Sequence, residues 1–338
     1  MKAVVLRSYG PPEALAFVDR AEPVPAPDQV VVRVMTSSVN PIDWHRMRGR
    51  PLLVRASEGL RRPKDERLGA DFAGVVERVG SAVSTVRVGD EVFGFGTGAF
   101  AELIAVKAEG VVAKPPNVSF PAAGVVGVAA LTALQGLQHH GRIAEGHRVL
   151  VSGAGGGVGS FAVQIAKALG AEVVATTSAD RMALVRSLGA DEVLDYHVTD
   201  PTERRGQFDL ILDAGGWLSL RGERRALKPG GTAVLSGGGR SVTGSAIIGR
   251  MGGAIALTKV GSRRFVSFVA QRNQADLETL RSMLEVEAIR PVIERTYPFA
   301  EIADAIRYQE TGRAAGKVAV AIRAGAGGET ERPPGGKR

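Results

Sequence analysis

The 338-residue chain contains no cysteine. That absence excludes disulfides, thiolate nucleophiles and any zinc site built on sulfur. Aromatic residues make up only 5 % of the chain, which leaves few platforms for stacking bases. The 43 Lys and Arg residues that give a formal net charge of +8 are scattered, with no recognition-helix pattern, so no nucleic-acid partner is expected. Long apolar runs are missing as well. The Ala- and Gly-rich stretch 244–257 is broken by Arg250, and Met1-Lys2-Ala3-Val4-Val5-Leu6 leads straight into polar residues. Neither a signal peptide nor a membrane segment is expected, and the reading is a cytoplasmic protein. Length predicts about two domains, and 44 % hydrophobic with 23 % charged residues suits a soluble globular chain.

What the chain does have is a glycine loop in a telling place. Val149-Leu150-Val151-Ser152 runs into Gly153, Gly155, Gly156, Gly157 and Gly159, and an apolar helix-like segment follows over 161–169. A buried strand that breaks into glycines and then opens a helix is the build of a dinucleotide site. The loop turns tightly, lets a pyrophosphate approach the backbone, and presents it to the helix N-terminus. Gly155, Gly156, Gly157 and Val158 are the cofactor-binding candidates of this loop.

The end of the next strand decides which dinucleotide fits. NAD sites place an Asp or Glu there to bond the ribose 2′-hydroxyl. This chain has Val173-Val174-Ala175-Thr176-Thr177-Ser178, with no acid before Asp180, and then Arg181. Hydroxyls and a guanidinium suit a 2′-phosphate, which a carboxylate would repel. Thr177, Ser178, Arg181 and Tyr196, the last just beyond the expected third strand, are read as the 2′-phosphate set. NADPH is the expected cofactor.

The pattern along the chain predicts an α/β protein with a small β-barrel or sandwich domain and a doubly wound parallel-sheet domain. Short β-rich runs separated by turn signals fill the first 120 residues, including Val30-Val31-Val32-Arg33-Val34 and Glu91-Val92-Phe93-Gly94-Phe95. From Pro121 helix and strand alternate at the spacing of β-α units. The expected division is 1–122 plus 262–323 for a discontinuous first domain and 123–261 for the dinucleotide domain. Residues 324–338, all Gly, Pro, Ala and polar or charged residues, are expected to be a disordered tail.

Several further segments carry a family likeness. They are Ser38-Val39-Asn40-Pro41-Ile42-Asp43, Leu68-Gly69-Ala70-Asp71-Phe72-Ala73-Gly74, Val88-Gly89-Asp90-Glu91-Val92, Leu131-Thr132-Ala133 and Gly316-Lys317-Val318. In this order, with the glycine loop, they resemble the medium-chain dehydrogenase/reductase superfamily, specifically its zinc-independent quinone oxidoreductase branch. The resemblance implies a GroES-like substrate domain wrapped on a Rossmann domain, an active site in the cleft between them, and a homodimer. The strand near Thr232 and Ser236 is the expected route by which a sheet extends across the two-fold axis.

Zinc-dependent members of that superfamily carry a catalytic Cys and a His where this chain has Asn40 and Ala70, and the four-Cys structural loop is missing. No metal is expected. Without one, hydride delivery to an activated acceptor is the reaction that needs least help. A quinone or an α,β-unsaturated carbonyl takes hydride at carbon and spreads charge onto oxygen, where hydrogen-bond donors stabilise it. Asn40 is the candidate donor and His45 the candidate acid, with Asp43 holding Asn40 and the nicotinamide ribose. Thr132 matches a position beside the nicotinamide. Asp213, Ala214 and Gly237 end strands where loops line the cofactor crevice. Residues 52–67 and 240–264 are expected to shape the acceptor pocket. Two other readings stay open: an enoyl-thioester reductase using Arg55, Arg61, Arg62 and Lys64, and a non-catalytic NADPH-binding protein.

Overall fold

The segment Arg148–Ser152 is buried through nearly its whole length because it lies in the middle of a sheet covered by helices. The computed structural model describes residues 1–236, 244–259 and 261–323. Its larger parallel sheet has six strands. In spatial order they are Glu192–Asp195, Glu172–Thr177, Arg148–Ser152, Phe208–Asp213, Leu227–Leu235 and Arg264–Ser267. In chain order that is third, second, first, fourth, fifth, sixth: the doubly wound arrangement. The direction reverses between Arg148–Ser152 and Phe208–Asp213, which is where such sheets open a crevice for a ligand. Loops from both strands meet there, and a Cβ on Gly153 would fall 2.8 Å from the Gly215 nitrogen.

The second sheet has seven strands. Its order is Ile293–Pro298, Lys317–Ala321, Gln29–Val39, Asp71–Val79, Glu91–Phe95 and Val111–Ala113, with Leu103–Lys107 also paired to Gln29–Val39. All pairs are antiparallel except the first. Register gathers residues that are far apart in the chain. Ser38 pairs with Asp71 and Val39 with Val318, so Asn40, Asp71 and Lys317 sit at one end of three adjacent strands.

Two expectations change. The strand Arg264–Ser267 pairs with Thr232–Leu235 register partners in the parallel sheet, and Leu277, Leu280 and Leu284 pack in the same core as Leu131 and Leu134. The return to the first lobe therefore comes at Ile293–Pro298 rather than at residue 262. The same pairing puts Leu227–Leu235 inside the sheet and makes Arg264–Ser267 its edge, so the strand near Thr232 has no free side through which to extend. Gly237 and the expected tail at 324–338 lie outside the described residues. Among the described residues no helix is long and apolar enough to cross a membrane.

Candidate active site

The helix Gly157–Ala168 starts directly from the glycine loop, with Gly156 in extended conformation and no side chain capping its first turn. Uncapped N–H groups at a helix start suit a phosphate oxygen. The glycines are required by contact. A Cβ on Gly159 would lie 2.2 Å from the Gly153 carbonyl oxygen, and one on Gly155 would lie 2.6 Å from Thr177 Oγ1 and 2.8 Å from Arg181 Cδ. Thr177 and Arg181 therefore rest on the loop itself. Ser178 is half-buried beside them, hydrogen-bonded to Asp180. The Arg181 fork already has partners: Nη1 donates to the Ala314 carbonyl at 3.0 Å and Nη2 to the Arg313 carbonyl. Tyr196 follows the strand Glu192–Asp195, its ring centroid 5.2 Å from that of Trp217.

Across the cleft, the end of Gln29–Val39 gives way to the helix Pro41–Arg48, with Asn40 as its N-cap residue. Asp43 accepts the Asn40 N–H at 2.8 Å and the Gly69 N–H at 3.1 Å. Burial, aided by the nearby negative charge of Asp71, pushes Asp43 up to about 7. The Asn40 side chain is 1 % exposed and fully engaged. Its Oδ1 accepts from Lys317 Nζ at 2.5 Å, and its Nδ2 donates to Asp71 Oδ2 at 2.9 Å and to the Ser38 carbonyl at 3.4 Å. An ammonium only donates, which fixes the orientation of the amide. Asp71 also accepts from Ser38 Oγ at 2.5 Å and from the Val128 N–H at 2.5 Å, at the start of the helix Gly127–Gln135. Gly316, next to Lys317, donates to the Gly155 carbonyl at 2.9 Å. The glycine loop and the Asn40 cluster are thus joined through consecutive residues.

Residues 26–116 match the family described as alcohol dehydrogenase GroES-like domain, and residues 188–320 the family described as zinc-binding dehydrogenase. The chain is 34 % identical over 339 residues to 2-methylene-furan-3-one reductase of Solanum lycopersicum, covering 95 % of this chain and 79 % of that protein. It is 33 % identical over 335 residues to the chloroplastic NADPH-dependent alkenal/one oxidoreductase of Arabidopsis thaliana, with coverage of 95 % and 79 %. The solved quinone oxidoreductase from Coxiella burnetii superimposes with a TM-score of 0.82 at 29 % identity, over 96 % of this chain and 99 % of that one. The chain belongs to the medium-chain dehydrogenase/reductase superfamily.

Where the zinc ligands of the family fall the chain has Asn40 and Ala70, and among the described residues no three of His, Asp, Glu or Cys are grouped to hold a metal ion. His139, half-exposed in the last turn of the helix Gly136–His140, pairs with Asp276 at 2.8 Å.

His45 is placed differently from Asn40. Its Nδ1 lies 2.9 Å from the Arg50 carbonyl, which can only accept, so the neutral ring carries hydrogen on Nδ1 and leaves Nε2 bare. Burial lowers its pKa. The ring borders a cleft of about 510 Å³ with Tyr9, Trp44, Arg48, Arg55 and Glu310, and among the described residues no hydrogen bond joins it to the Asn40 cluster. His45, the candidate acid, therefore stands apart from the Asn40 cluster, and burial favours its neutral form. Thr132 donates its hydroxyl hydrogen to the Val128 carbonyl at 2.7 Å. Asp213 is fully buried, accepting from Ser152 Oγ, from the Gly216 N–H at 2.8 Å and from Arg250 at 2.6 Å, so it shapes the loop containing half-buried Ala214 instead of facing the crevice.

Asp71 and Lys317 stand inside the family segments, yet sequence reasoning assigns neither a role. The available signal is a charged residue opening the apolar run Lys317-Val318-Ala319-Val320, where a solvated side chain has no place. Trp217, whose indole lies over Gly215, is missed as well.

Proposed function

We propose that this chain is a zinc-free, NADPH-dependent oxidoreductase that delivers hydride to a quinone or an α,β-unsaturated carbonyl. The observation that carries the reading is the join between an uncapped glycine-loop helix and a metal-free cluster of buried donors around Asn40. The names of its tomato and Arabidopsis relatives point to the same chemistry. NADPH, when bound, supplies the hydride. The helix start of Gly157 and Val158 holds the pyrophosphate, and Thr177, Ser178 and Arg181 hold the 2′-phosphate. With its amide plane held, Asn40 offers the N–H of its long Ser38 contact to the acceptor oxygen, because a bond of 3.4 Å is the weaker of its two. Water delivers the final proton. The chain works as a homodimer whose parallel sheet continues across the edge strand Arg264–Ser267.

The test is NADPH oxidation by purified protein with a linear alkenal, a cyclic enone and 9,10-phenanthrenequinone. Turnover of at least one class, undiminished after EDTA or phenanthroline, is expected. No turnover across the panel, or turnover lost to chelators and restored by zinc, overturns the reading. Sedimentation equilibrium checks the dimer.

A further inference from the structure

A buried ammonium is costly unless its charge and its hydrogens are answered. Lys317 is 3 % exposed. Asp71 answers the charge at 3.1 Å, yet the shorter contact, 2.5 Å, runs to the uncharged amide oxygen of Asn40. That second contact answers one of the ammonium's three hydrogens and places its charge against the amide of Asn40. The same side chain also borders the cofactor cradle, since a Cβ on Gly157 would fall 3.1 Å from Lys317 Cδ.

We infer that Lys317 is a positioning residue that acts through Asn40, its ammonium locking the amide plane and strengthening the Asn40 N–H as a donor to the acceptor oxygen. An amide whose oxygen accepts a charge-assisted hydrogen bond is polarised, and its N–H groups donate more strongly. Asp71 holds one of those hydrogens at 2.9 Å, which leaves the Ser38-directed one for the acceptor. Lys317 thereby gives a metal-free site a fixed positive charge one group removed from the reacting oxygen.

The kinetic part rests on the function proposed above. For an enone, hydride and its electron pair form the new C–H bond at the β-carbon, the C=C π pair shifts to join the α-carbon and the carbonyl carbon, and the C=O π pair moves onto the oxygen. The enone is reduced as NADPH is oxidised, and a solvent proton completes the α-carbon. Lys317 takes no part in the proton transfer, and Asn40 meets the developing charge.

The test is a double-mutant cycle on kcat with an enone. Lys317→Met keeps the stem that borders Gly157 and should lower kcat about tenfold to a hundredfold in the parent, the range for a charge-assisted contact. In an Asn40→Ala background the same change should cost no more than about twofold. Additive losses overturn the proposal, because Lys317 then acts without Asn40. A second readout needs no turnover: the side-chain amide protons of Asn40 in isotope-labelled protein should move upfield in Lys317→Met. Should that variant not fold, Lys317→Met/Asp71→Asn removes both buried charges and should show the same movement relative to Asp71→Asn alone, which already accounts for the loss of the Asp71 charge. Unmoved amide resonances overturn the proposal. If the parent reduces no acceptor, the functional reading fails while the amide resonances still decide the role of Lys317.

Discussion

Arg250 Nη2 lies 2.6 Å from Asp213 Oδ2. The same nitrogen is 3.1 Å from Glu223 Oε1, so one cation answers two carboxylates that have no exposed surface. Glu223 Oε2 has no partner among the described residues. Burial first, and then the charge of Asp213, push Glu223 from 4.5 up to about 8. The fold therefore holds this proton more tightly than the unfolded chain does. Its contribution to stability is complete below the unfolded value and is lost as pH rises through the folded one. Glu223→Gln is permanently neutral and escapes that loss. Between about pH 5 and about pH 9 the variant should gain a few kcal/mol on the parent. Thermal melts at the two pH values measure the gain, and parallel pH dependence would rule the mechanism out.

Arg181→Ala should weaken NADPH binding about 10- to 150-fold, the worth of a charge-assisted phosphate contact. The fork also ties down the Arg313 and Ala314 carbonyls, so NADH should lose affinity too, though by only about threefold for a pair of partly exposed contacts. Titration with both cofactors separates the two contributions. Equal weakening would move the 2′-phosphate away from Arg181.

Two loop glycines should behave in opposite ways. A Cβ on Gly156 meets only the Gly153 oxygen, at 3.4 Å, while one on Gly159 meets that same oxygen at 2.2 Å. Gly156→Ala should keep the parent melting temperature and lose cofactor affinity. Gly159→Ala must push backbone aside and should lose both affinity and stability, the latter by about 1–3 kcal/mol as overpacking does. Calorimetry with and without NADPH gives both numbers, and a Gly159→Ala protein as stable as the parent would contradict the contact.

His45→Phe should leave turnover and its pH dependence unchanged above about pH 7, where the native imidazole is already neutral. A pH–rate profile for an enone reads this directly. Loss of an alkaline limb in the variant would restore His45 as an acid.

The parallel sheet was legible because apolar runs such as Val149-Leu150-Val151 and Leu210-Ile211-Leu212 recur along the chain with helical segments between most of them, and the glycine loop marked its first turn. Arg264–Ser267 was not, since four residues with an arginine and a serine at their ends carry no clear period. Asn40 and Asp43 could be read as partners because three residues separate them in one helix start. The contacts that give Asn40 its orientation could not, because Lys317 is 277 residues away and strand register alone brings the two together. Arg181 tells the same story: residue type indicated a phosphate ligand, but the carbonyls it holds come from a loop 132 and 133 residues on.

During synthesis the glycine loop and the strands of the parallel sheet leave the ribosome well before Gly316 and Lys317 do. A nascent chain at that stage possesses its nucleotide cradle and Asn40 but lacks the ammonium that orients it. The Asn40 amide is therefore oriented only once Lys317–Ala321 docks against Gln29–Val39, so a site whose first residues are made early waits on one of the last described strands for its geometry.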